Sequence, residues 1–79
     1  MGRLEVARLH LEKVLELNPE RRDLYHALAD VSFREEKWEE TIRWAELGLS
    51  SNTFVGRMKD LRDWIASATI ELEKEAESV

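Results

Sequence analysis

The chain has no cysteine in its 79 residues. That excludes thiol nucleophiles, CxxC redox pairs and cysteine-based zinc sites, and no disulfide can reinforce so small a core. It fits a reducing cytosol, so the cytoplasm is the location the sequence suggests. There is one proline and there are three glycines, too few breakers for a loop-rich or all-β chain. Apolar runs extend only a few residues, far short of a membrane span. The opening MGRLEVARLH lacks a secretory apolar segment, and Val6 stands where a myristoylation signal needs Ser or Thr. We therefore expect a targeting segment to be absent or already removed.

Positive charge is also scarce, with 12 basic residues against 17 acidic ones and a net charge of −5. This argues against nucleic acid as a partner, because affinity for phosphates comes mostly from Lys and Arg. A helix-turn-helix reader fails the same test, since the third helix offers Arg43 against Glu39, Glu40 and Glu46. The sequence contains no GxGxxG, P-loop, GxSxG or HExxH. The carboxylates fall on ordinary polar helix faces. His10 and His26 are the only histidines. His26 and Asp30, at i and i+4, share a face and could seed a metal site, but a surface histidine beside an aspartate is the plainer reading. We expect no enzyme, no cofactor and no metal.

What the sequence does hold is helical periodicity, with 37% charged residues interleaved among apolar ones. Leu4, Ala7, Leu11, Val14 and Leu15 form one face of a helix over about 3–17, which Asn18-Pro19 ends. Val6, Leu9 and Leu17 lie outside that stripe. A second helix, about 21–35, has acids Glu20 and Asp23 near its start and buries Leu24, Tyr25, Leu28, Ala29, Val31 and Phe33. A turn near Glu35 to Lys37 leads to a third, about 38–50, burying Trp38, Thr41, Ile42, Ala45 and Leu49. Gly48 sits inside that helix at a cost of roughly 1 kcal/mol, which close approach of a neighbouring helix would offset. A fourth helix, about 54–76, carries Met58, Leu61, Trp64, Ile65, Ala68 and Leu72. The terminal ELEKEAESV reads as its solvated tail. Trp38 and Trp64 lie on core stripes, whereas Trp44, near a stripe edge, suits core or interface equally.

Shifting the chain by 34 residues aligns Glu5 with Glu39, Glu12 with Glu46, Leu15 with Leu49 and Asn18 with Asn52. That is the period of the tetratricopeptide repeat, and the sequence resembles that family. VLELNP looks like the close of one repeat. Tyr25, Leu28 and Ala29 then stand at the family's first-helix Trp, Leu and Gly. Trp38 and Thr41 match the opening of its second helix, and Gly48 a position usually held by Ala. A shift of 33 residues sets Tyr25 on Met58, Leu28 on Leu61 and Ser32 on Ile65, so the last helix looks like the start of a further repeat, extended as a cap. The departures are Ser32 and Ala45 for aromatics, Thr53 for a second Pro, and Glu36 where Gly is common.

The resemblance implies an all-α, right-handed array of four antiparallel helices in a single domain, 1–79. Its parts are the second helix of a partial repeat (2–19), one full repeat (22–53) and a capping helix (54–79). It also implies a protein-interaction scaffold with a protein or peptide partner. The family's concave groove would be lined by Asp23, His26, Asp30, Phe33 and Arg34, with Lys59 and Arg62 from the last helix. Family members that clamp a terminal carboxylate use Lys and Asn there; His26 and Asp30 in their place imply that acidic chaperone C-termini are not bound.

Repeat units do not bury their faces alone. The first helix lacks the partner that would precede it, so Val6, Leu9 and Leu17 should be uncovered and could serve self-association as a homodimer. A fragment of a longer array or an engineered scaffold without a natural ligand would also leave that face open.

Overall fold

The computed structural model describes residues 2–51 and 55–77, and Asn52, Thr53 and Phe54, where the third loop was expected, lie outside them. The order is α1 (Arg3–Leu17), α2 (Leu24–Arg34), α3 (Trp38–Leu49) and α4 (Val55–Glu77). The helices are antiparallel, and no strand occurs among the described residues.

Local chemistry sets the ends. At the close of α1, Asn18 leaves the helical region (φ −133°, ψ 73°), as a residue before proline should. Its backbone N–H and its side-chain Nδ2 both donate to the Val14 carbonyl, at 2.8 and 3.2 Å. The chain then spends residues 18–23 in turns, with Arg21 N–H donating to Asn18 O at 2.9 Å and Leu24 N–H to Arg21 O at 3.2 Å. The second helix accordingly begins at Leu24, later than the expected 21. Asp23 takes the N-cap position without capping, because both carboxylate oxygens accept from Arg21.

The α2–α3 turn is a Schellman closure. Lys37 N–H donates to Ser32 O at 2.9 Å and Glu36 N–H to Phe33 O at 3.0 Å. Such a turn needs a left-handed residue, and here that residue is Glu36, at φ 61°. A side chain in this region is strained by about 1 kcal/mol or more. Glu36→Gly is therefore expected to stabilise the chain by about 1 kcal/mol even after the added freedom of the unfolded state, raising Tm by roughly 4–8 °C. A thermal melt showing no gain, or a loss, would contradict the strain.

The core lies where α4 packs across α2 and α3. Leu28 and Leu61 are its large, fully buried side chains, and Ala29, Ser32, Thr41, Ala45 and Ala68 around them are small and fully buried. Trp44, Leu49, Trp64 and Ile65 pack at its rim, half-buried. Small side chains let helices approach closely. A Cβ placed on Gly48 would lie 2.8 Å from Leu61 Cδ1 and 3.5 Å from Tyr25 Cβ, which is the close approach its position in a helix implied. Thr41 satisfies its buried hydroxyl by donating to Lys37 O at 2.8 Å, whereas Ser32 Oγ is buried with no partner among the described residues.

The molecule is a slab of 40 × 30 × 16 Å, less than two helix diameters thick, so every helix keeps a solvent face. Among the described residues α1 packs on α2 alone, and no residue of α1 is buried. The expected α1 stripe reaches only half burial at Ala7, Leu11, Val14 and Leu15, and Leu4 remains exposed.

Candidate functional site

Two surfaces bear on function: the side of α2 that meets α4, and the open side of α1. On α2, helical spacing places Asp23, His26, Asp30, Phe33 and Arg34 along one side. α4 lies beside it and takes up two of them. His26 Nε2 is 3.1 Å from Asp60 Oδ2; the carboxylate can only accept, so Nε2 carries the hydrogen. The His26 ring sits 5.0 Å from Trp64, centroid to centroid. Phe33 lies 6.4 Å from Trp64 and meets the edge of Trp38 at 5.5 Å. His26 and Phe33 thus join α2 to α4 and to the start of α3.

The polar members pair locally. Asp30 accepts from Arg34 Nε at 3.0 Å, so His26 finds its carboxylate on α4 rather than one turn along its own helix. Asp23 is clasped by Arg21 at 3.1 and 3.0 Å, which holds its carboxyl below the ordinary value and the guanidinium above it. Lys59 and Arg62 are exposed on α4. No group of three or more His, Cys, Asp or Glu side chains among the described residues could hold a metal.

Sequence reasoning missed two features. Arg8 Nε donates to Glu35 Oε1 at 2.7 Å, and its second nitrogen lies 3.1 Å from Glu12, so a cation on α1 meets the carboxylate that ends α2. Hydrogen bonding to Glu35, chiefly, holds the Arg8 guanidinium above its usual value. No pattern in either segment signals a contact across 27 positions. A hollow of 270 Å³ also opens between the start of α3 and the end of α4, walled by Trp38 and Leu72, by Glu36, Glu39, Glu40 and Glu75, and by Lys37. Trp44 stacks on Tyr25 at 6.1 Å with the Arg43 guanidinium 4.9 Å over its ring, a mixed core and surface position.

The open side of α1 is apolar where α2 does not reach. Val6 is 65% exposed, Leu9 50% and Leu17 69%. Val6 and Ala7 line a shallow depression with Gly2, Arg3 and His10. On α4, the outer side is mostly polar, with Ile70 as the one large exposed apolar residue among the described side chains. No helix is long and apolar enough to cross a membrane among the described residues. Compared with protein-family models, curated proteins and solved structures, the chain matches none.

Proposed function

We propose that the chain is a tetratricopeptide-like protein-interaction module without catalytic activity, and that it docks partners through the open side of α1. The observation that carries this reading is a helix with no buried residue that exposes Val6, Leu9 and Leu17 together. Isolated exposed apolar side chains are ordinary, but a run of them along one helix marks an interaction surface. Three features support the repeat assignment, with 2–19 as a partial repeat, 22–53 as a full one and 54–79 as the cap. Glu36 adopts the left-handed conformation at the turn where the family favours glycine. Gly48 meets Leu61 and Tyr25 at close range where the family keeps a small residue. Leu28 and Leu61, matched by the 33-residue shift, are the large fully buried side chains of the core.

Val6→Asp and Leu9→Glu test the surface. Both side chains are exposed, so folding stability should change by no more than about 0.5 kcal/mol. A partner held by the immobilised chain should lose about tenfold or more in affinity. Capture indifferent to both substitutions but abolished by Arg34→Glu would move the docking surface to α2 and reject the α1 reading.

A further inference from the structure

The open side of α1 carries Arg3, Val6, His10, Lys13 and Leu17, all exposed and spaced by three and four residues. The outer side of α4 carries Lys59, Asp63, Ala66, Ile70 and Glu73, all exposed and with the same spacing in reverse. Laid antiparallel, the two strips match: Arg3 meets Glu73, Val6 meets Ile70 and Lys13 meets Asp63. Ala66 leaves room for His10, and the stem of Lys59 can lie over Leu17. The α4 strip, 59–73, spans the same number of residues as α1 itself, so the match runs the length of that helix.

Charge decides the occupant. The α1 strip holds Arg3 and Lys13 and no acid, so a second α1 would bring like charges together. The α4 strip supplies two carboxylates at the matching heights. Arg3, Asp63 and Glu73 have no ion-pair partner among the described residues, and Lys13 has only a loose 3.9 Å contact with Glu16. Among the described residues, the two strips lie on helices that do not touch within one chain. We propose that α1 of one molecule receives the outer side of α4 of a second copy, in a head-to-tail contact that continues the antiparallel order of helices. This rests on reading α1 as the docking face. Each molecule has one strip of each kind, so the contact is heterologous and builds rings or open chains of molecules rather than an isologous dimer.

Sedimentation of the purified chain over a concentration series tests the proposal, with two double variants. Arg3→Glu/Lys13→Glu makes both strips acidic, and Asp63→Lys/Glu73→Lys makes both basic. The unaltered chain should gain mass steadily with concentration and lose association as salt rises. Each variant alone should associate at least about tenfold more weakly, because two attractions become repulsions. An equimolar mixture of the two should recover association, since every acidic strip again faces a basic one. Circular dichroism confirms that both variants are folded. Association unaffected by the α4 variant would overturn the proposal in favour of an α1–α1 contact, and a mixture that stays monomeric would overturn it too. An unaltered chain that remains monomeric would also overturn it; Val6-dependent capture of a foreign protein by that monomer would show that the docking face itself survives.

Discussion

Leu61→Ala is expected to cost about 3–5 kcal/mol and to leave the chain near the edge of unfolding. A chain of 79 residues holds roughly 4–12 kcal/mol in total. Leu61 is fully buried; its fully buried neighbours Ala29 and Ala45 cannot swing in to fill a void, and Trp44, Leu49, Trp64 and Ile65 pack against the cluster only from its rim. Gly48 faces the same side chain. Adding a methyl there gains about 1 kcal/mol of helix propensity. It also sets a carbon 2.8 Å from Leu61 Cδ1, and a fully buried leucine has little room to turn away, so overpacking of about 1–3 kcal/mol should prevail. Gly48→Ala alone should therefore lose about 1 kcal/mol. In the double variant the new methyl enters space that Leu61 has vacated, and the combined loss should fall short of the sum by about 1 kcal/mol or more. Urea denaturation followed by circular dichroism measures all three. Strictly additive losses would mean that the two positions do not share the contact.

Arg8→Met should loosen α1 from the rest of the molecule. The Arg8 and Glu35 side chains are each 11% exposed and meet at 2.7 Å. Glu35 sits at the carboxyl end of α2, where a negative charge opposes the helix dipole, so it depends on this cation more than an exposed glutamate would. Methionine keeps the apolar bulk of the arginine stem but leaves Glu35 without its partner. The expected loss is about 1–3 kcal/mol, confined to the docking of α1. Hydrogen exchange should show amides of residues 3–17 less protected by roughly ten- to a hundredfold, with α2, α3 and α4 little changed. Adding Glu35→Leu should recover much of the protection by removing the stranded charge. Unchanged exchange in Arg8→Met would show that apolar contacts alone hold α1.

The helices were legible because their signals are local. Pro19 stops α1 through its own ring, and Trp38 opens α3 where the periodicity changes phase. The start of α2 was less legible, since Glu20 and Asp23 both suit a helix beginning and nothing nearby shows that Arg21 will claim Asp23. Gly48 could be read correctly because an interior helical glycine demands a close neighbour, although its identity, Leu61, comes from packing. The polar side of α2 was the hardest to read. His26 and Asp30 look like a pair by spacing, yet each finds a different partner, one of them on α4. Phe33, placed in the groove by resemblance, lies against Trp64 and Trp38. Contacts of this kind are set by the relative placement of helices, which periodicity leaves open. The exposed side of α1 was legible from helical periodicity, because Val6, Leu9 and Leu17 lie outside the stripe that a single neighbour can cover.

The order in which the helices touch also shapes how the chain reaches this structure. Among the described residues α1 packs on α2, α2 on α3 and α3 on α4, and the one contact that skips a helix joins α2 to α4. Each interface closes a short loop, so little chain entropy is lost before contacts begin to compensate, and search times for such local topologies are short. The nucleus belongs where Leu28 and Leu61 are buried, in the three helices that touch one another. Because α1 packs on α2 alone among the described residues, it is expected to dock last, and substitutions in it should change the unfolding rate more than the folding rate.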